Sequence, residues 1–162
     1  MRLIILVLLT LLLSPFTYAI GIPVGGIAPD FTLKSLDGKA VSLKEYKGTI
    51  LVLIYWETGQ ARSLMALEDG KDIFKKYKAK GVQVIGIIAE ADKTEEVRGI
   101  IKEHEINFPV LLDPERQVYG DYGIRVYPST VVIDKEGRLA YDLPGHAPTY
   151  KTALEADLQY ML

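Results

Sequence analysis

Leu51-Val52-Leu53-Ile54-Tyr55-Trp56-Glu57-Thr58-Gly59-Gln60-Ala61-Arg62-Ser63 carries the clearest signal in this 162-residue chain. Its first half is an apolar run with β-branched and aromatic side chains, the pattern of a buried strand. It then passes through Trp56-Glu57-Thr58-Gly59 and enters a helical pattern. Ala66, Gly70, Ile73 and Tyr77 recur at helical spacing, with Leu67 and Phe74 beside them. A buried strand, a tight turn and a helix start in succession make one unit of an α/β fold.

Downstream, this first helix is expected over residues 62–80, with Gly81 placed to end it. Val82–Ile88 reads as a second apolar strand, parallel to the first by the right-handed crossover rule. Asp92-Lys93-Thr94-Glu95 predicts a capping box that opens a helix with Val97, Ile100, Ile101 and His104 on one face. Residues 108–112 form a short strand, and Asp113-Pro114 starts a helix that runs through Tyr122. Residues 130–133 and 138–141 then make a hairpin across Asp134-Lys135-Glu136-Gly137. Residues 148–162 close as a helix, with Leu154, Leu158 and Leu162 at spacing four. Upstream, residues 28–33 and 40–43 alternate apolar with polar around Asp37-Gly38 and read as a hairpin, followed by a turn over residues 43–48. Together these elements give an α/β chain: a central mixed β-sheet flanked by helices, with an N-terminal β-hairpin extension.

Within this frame the central stretch resembles the Phe-Trp-Ala-Thr-Trp-Cys-Pro-Pro-Cys segment of the TlpA/ResA-type thioredoxins. A second segment resembles them too. It runs from Asn107-Phe108-Pro109-Val110-Leu111-Leu112-Asp113 through Tyr122-Gly123-Ile124 and Tyr127-Pro128-Ser129-Thr130 to Ile133-Asp134. Pro29-Asp30-Phe31, Leu36-Asp37-Gly38-Lys39, Leu43 and Gly48 look like the opening of the wider AhpC/TSA and redoxin superfamily. The resemblance implies a thioredoxin-like fold over about residues 27–162. It implies an extracytoplasmic thiol–disulfide oxidoreductase ancestry, often tied to cytochrome c maturation or envelope redox homeostasis. It puts the two family cysteines at Gln60 and Ser63 and a buried family glutamate at Ala66. It also makes Pro128 a cis-proline facing the helix start, with neighbours that hydrogen-bond an extended peptide. Tyr127 is bulkier than the family's usual Thr or Val there.

Thiol–disulfide exchange needs an attacking thiolate and a resolving thiol. The chain has no cysteine, so no catalytic residue is assigned, and a peroxiredoxin reading fails for the same reason. What the resemblance leaves is a candidate binding surface of Trp56, Glu57, Thr58, Arg62, Tyr127 and Pro128, joined by Gln60 and Ser63. One reading is a peptide- or anion-binding patch, with donors from the helix start and charge from Arg62. The other is a relic in which Trp56 is packing and Ser63 caps the helix. An enzyme using non-thiol groups, with Glu57 as a base and Ser63 beside it, is the alternative function. His104 and His146 have no ligand-spaced partner, so neither a metal nor another cofactor is expected. The five lysines from Lys71 to Lys80 read as a solvated helix face.

Net charge is −2, and Lys and Arg form no one-sided stripe, which argues against nucleic acid as a partner. Met1-Arg2, the apolar run of residues 3–13, Ser14-Pro15 and Thr17-Tyr18-Ala19 fit a secretory signal peptide over residues 1–19. That leaves residues 20–162 as one thioredoxin-like domain, exported to the periplasm or another extracytoplasmic space. The rival is an uncleaved anchor over residues 3–20, and only then is membrane contact expected. The expected partner is a protein or peptide of the cell envelope. With no disulfide to help, the fold rests on its core, which a chain of this length can build.

Overall fold

The computed structural model describes residues 21–162. Along the chain it runs β1 (Thr32–Ser35), β2 (Ala40–Ser42), β3 (Ile50–Trp56), α1 (Ala61–Tyr77), β4 (Val82–Ile88) and α2 (Thr94–Glu103). It continues through β5 (Val110–Leu112), α3 (Gln117–Asp121), β6 (Ser129–Ile133), β7 (Leu139–Pro144) and α4 (Tyr150–Met161). The strands form one mixed sheet in the order β2-β1-β5-β4-β3-β6-β7. β3 lies parallel to β4 and antiparallel to β6, and β4 lies parallel to β5.

Every residue of β3 is buried, because the strand is covered on both faces. Ile50, Val52, Ile54 and Trp56 point into a core shared with Leu67, Ile73 and Tyr77 of α1, Val97 of α2 and Leu154 and Leu158 of α4. Leu51, Leu53 and Tyr55 point the other way, toward Phe31, Val118, Tyr122 and Ile124. The apolar run of the sequence is continuous rather than alternating for this reason. The expected N-terminal hairpin is β1–β2, which extends the sheet by pairing Lys34 with Leu112 and Ser35 with Leu111 of β5.

Gly70 is where α1 comes closest to the sheet. A Cβ on it would lie 2.4 Å from Cδ1 of Ile54, so any larger residue requires that buried side chain to shift. α1 ends at Tyr77, and a 3-10 turn over Lys78–Lys80 leads to Gly81 in the left-handed conformation, φ 90°.

Three local expectations differ from the structure. No capping box opens α2: a 3-10 turn over Ala91–Lys93 precedes it, and the Thr94 hydroxyl donates to the Ala91 carbonyl instead. The capping box in the described residues lies at Ser42 and Glu45, where a 3-10 turn opens. α3 begins at Gln117 rather than beside Pro114, because the Asp113 carboxylate caps it from a distance. Its Oδ1 accepts the Gln117 N–H at 2.8 Å, and its Oδ2 accepts the Tyr119 N–H at 3.2 Å. In α4 the buried positions are Tyr150, Leu154 and Leu158, one turn earlier than the leucine spacing suggested, and Leu162 is exposed.

The two sheet edges are short or broken. β2 has three residues, and β7 carries an extra residue, Ala140, between the Val132–Tyr141 and Ile133–Leu139 pairs and ends on Pro144. No helix among the described residues is long and apolar enough to cross a membrane. The signal peptide read over residues 1–19 and the alternative anchor over residues 3–20 lie outside the described residues.

Candidate functional site

The site forms where β3 ends, α1 begins and β6 starts. Tyr55 pairs with Ser129, so the next step of the ladder sets Trp56 beside Pro128. The Tyr127–Pro128 peptide bond is cis. The sheet thus brings the two sequence motifs together at one end of the molecule, next to the start of α1.

The residues named from the sequence divide into buried and open groups. Trp56 is 1% exposed, and its indole N–H has no hydrogen-bond partner among the described residues; a Cβ on Gly86 would come within 3.3 Å of it. Ser63 is fully buried and lies inside α1, so it is not the helix cap. Its Oγ accepts the Glu57 N–H at 3.3 Å, and the cap position belongs to Gln60, whose side chain caps nothing. Thr58 and Pro128 are buried as well, and the Pro128 carbonyl accepts the Gly145 N–H at 2.7 Å. Trp56, Thr58, Ser63 and Pro128 therefore support the surface from beneath and do not form it. Glu57 and Tyr127 are half-buried, and Gln60 and Arg62 are exposed. The Gln60 amide donates to the Glu57 carboxylate.

Behind the loop lies a polar network. The Glu90 carboxylate accepts the Thr58 N–H at 2.7 Å and the Thr58 hydroxyl at 3.2 Å, and it pairs with Lys93. Lys93 also donates to the Thr58 hydroxyl at 3.0 Å. Burial opposes ionisation of Glu90, but the bonds from Lys93 and Thr58 outweigh it and hold the carboxyl below its usual range. Glu90 sits just past the carboxyl end of β4, where parallel strands gather functional groups. Sequence reasoning missed it, because its place after an apolar strand does not set it apart from other loop acids.

Tyr127 belongs to an aromatic cluster. Its ring stacks on Tyr55 at 5.8 Å between centroids and lies 6.1 Å from Tyr119, and Arg116 sits 5.3 Å over the Tyr119 ring. The Tyr55 hydroxyl donates to Asp113 at 2.6 Å, tying the cluster to the carboxylate that caps α3. Burial raises the Tyr127 phenol above its ordinary value; Arg116 opposes that, and Glu57 and Glu90 add to it. Among the described residues, neither the N–H nor the carbonyl of Tyr127 has a hydrogen-bond partner. A small hollow of about 160 Å³ opens at the start of α1, lined by Trp56, Thr58, Gln60, Leu64 and Ile100 among others.

The two histidines lie away from this site, each against a carboxylate of α1. His104 meets Glu68 at 3.0 Å, and His146 meets Asp69 at 2.9 Å. Lys75, Lys76, Lys78 and Lys80 are exposed, and Lys71 is half-buried with its ammonium on the His104 carbonyl.

Residues 24–142 match the profile of the AhpC/TSA family. This chain belongs to that family. It is 32% identical over 137 residues to the thiol-disulfide oxidoreductase ResA of Bacillus cereus (strain ZK / E33L), covering 84% of this chain and 77% of that one. It is also 32% identical to the thioredoxin-like protein YneN of Bacillus subtilis over 119 residues, 73% of this chain and 69% of that one. Among solved structures, a Chlorobium tepidum protein described as thiol:disulfide interchange protein DsbE superposes with a TM-score of 0.81. It is 28% identical, over 86% of this chain and 98% of that one. The exposed lipoprotein thioredoxin Etrx1 of Streptococcus pneumoniae superposes at 0.71 and is 31% identical, over 82% of this chain and 99% of that one. The AhpC/TSA protein described here is thus a thioredoxin-like member of the ResA type. Gln60-Ala61-Arg62-Ser63 replaces its two-cysteine motif, and Ala66, three residues further along α1, is buried.

Proposed function

We propose that this AhpC/TSA-family protein is an exported binding module that holds an extended peptide against the backbone of Tyr127 and carries out no dithiol exchange. The open N–H and carbonyl of Tyr127 carry this reading. A donor and an acceptor on one residue are what a docked strand uses, and main-chain bonds give such docking its affinity. The Tyr127 ring is half-buried, and Gln60 and Arg62 are exposed at the start of α1, which leaves all three open to a peptide.

The lack of dithiol activity follows from composition, since no residue can supply the thiolate. Neither Glu57 nor Ser63 gains support as a replacement nucleophile or base. The Glu57 carboxylate is engaged by Gln60, and the Ser63 hydroxyl is buried. Export is supported by the leader pattern of residues 1–19 and by the printed description of the pneumococcal relative as an exposed lipoprotein. The names ResA and DsbE attach thiol–disulfide chemistry to relatives, which points to clients of the envelope redox or cytochrome c maturation systems.

Affinity capture from envelope extract with the wild type and with Arg62→Ala/Tyr127→Ala tests the reading. The variant retains client about tenfold less, and a synthetic peptide from that client slows hydrogen exchange at the Tyr127 amide. Equal capture by both proteins, with unchanged exchange at Tyr127, counts against it. The wild type leaves the rate of insulin reduction by dithiothreitol unchanged.

A further inference from the structure

A hollow under the β1–β2 hairpin lies across α2 from the small one at the start of α1, with Ile101 lining the first and Ile100 the second. The β1–β2 hairpin overhangs β5, to which it is paired at only two positions, and α2 passes beside it. Between them lies a space of about 520 Å³. Small-molecule sites span roughly 300–1,000 Å³.

The lining is two-sided. Leu36, Val41, Ile101, Phe108 and Val110 give an apolar wall. Lys39 and Lys102 stand at the rim, and neither has an ion-pair partner among the described residues. Arg98 fastens the hairpin to α2, reaching Asp37 at 3.2 Å and the Leu36 carbonyl. Both acids of the lining are engaged: Asp37 by Arg98, and Glu45 by the Ser42 N–H at 2.8 Å. Tyr46 completes the wall, half-buried, with no partner for its hydroxyl among the described residues.

We infer that this hollow binds a single-chain amphiphilic carboxylate, with its tail against the apolar wall and its head between Lys39 and Lys102. A cationic head would meet the two ammonium groups with like charge. A small polar anion would leave the wall wet, and a neutral chain would leave both lysines unused. Only an amphiphile with a negative head satisfies both halves of the lining. The site uses none of the groups at the mouth, so it stands or falls independently of the peptide-binding reading.

Calorimetric titration of the full chain with decanoate, butyrate and decyltrimethylammonium, each below its micelle concentration, tests the assignment. Decanoate binds once and saturably, and the other two bind at least about tenfold more weakly. Lys39→Gln/Lys102→Gln, at two exposed positions, weakens decanoate by about fivefold to tenfold, as two surface ion pairs would. Amide shifts on decanoate addition fall on Leu36, Ile101 and Val110. The inference is overturned if the cation binds as well as decanoate or if the double variant binds decanoate unchanged. It is also overturned if the shifts map away from the hairpin, or if the protein sediments with phosphatidylglycerol vesicles without saturable decanoate binding.

Discussion

The carboxylate of Glu90 accepts the backbone and hydroxyl of Thr58 while pairing with Lys93, and it fixes the loop that leads from Trp56 into α1. Its folded pKa lies below the ordinary carboxyl value of 4.5, so the stability it contributes is complete above that value and is lost as pH falls through the lower folded one. Glu90→Gln is therefore less stable than the wild type near neutral pH, by about 1–3 kcal/mol, because Lys93 and the Thr58 N–H lose their charged acceptor. Its stability also falls less between about pH 5 and pH 3, as urea unfolding at several pH values would show. Trp56 and Pro128 were legible in the sequence because each sits in a motif. Glu90 was not, since a lone glutamate after a strand looks like any loop acid until Thr58 and Lys93 are brought to it. The burial of Ser63 was hidden for a related reason. A serine at a helix start reads equally as a cap, and the orientation of α1 against β3, not local sequence, turns it inward.

The docking of α1 on β3 turns on Gly70. In an isolated helix, glycine to alanine gains about 1 kcal/mol from propensity alone. Here the added methyl would meet Cδ1 of Ile54 at 2.4 Å, inside a strand buried on both faces. Overpacking of that kind costs about 1–3 kcal/mol, so it wins, and Gly70→Ala lowers the urea midpoint. Gly99 in α2 is the control, having nothing within 4 Å of its Cβ position, and Gly99→Ala raises the midpoint. Strands and helices were readable because apolar periodicity spans many side chains at once. Their ends were less so: the signal at Asp92 to Glu95 was outweighed by a 3-10 turn, and Asp113 caps α3 across a gap of four residues. In sequence Gly70 could be read only as a weak point of its helix; the sheet beneath gives it a purpose.

For the whole chain, the question is whether the framework around the lost cysteines still has their spacing. Gln60 occupies the N-terminal cap position of α1 and Ser63 lies three residues on, where helical neighbours are about 5–6 Å apart at Cβ. Gln60→Cys/Ser63→Cys therefore forms an internal disulfide on mild oxidation, with little adjustment toward the ~3.8 Å a disulfide needs. The thiol at position 60, at the uncapped start of a 17-residue helix, ionises readily. Thiol counting and insulin reduction would show a closed ring and weak turnover, limited by Ala66 at the acid position; each single substitution gives neither. Recovery of the disulfide would mean that the mouth kept its shape when its chemistry was removed. The overall architecture was legible from the two motifs, whereas the hollow under the hairpin was not, because it is enclosed by side chains up to 75 residues apart, from Ser35 to Val110.

The margins of the sheet set how this molecule behaves in crowded solution. A three-residue strand on one side, and on the other a strand broken by Ala140 and closed by a proline without an N–H, offer no continuous ribbon for a second copy to zip onto. Within the described residues, high concentration alone therefore gives these sheet edges no template for fibrillar growth.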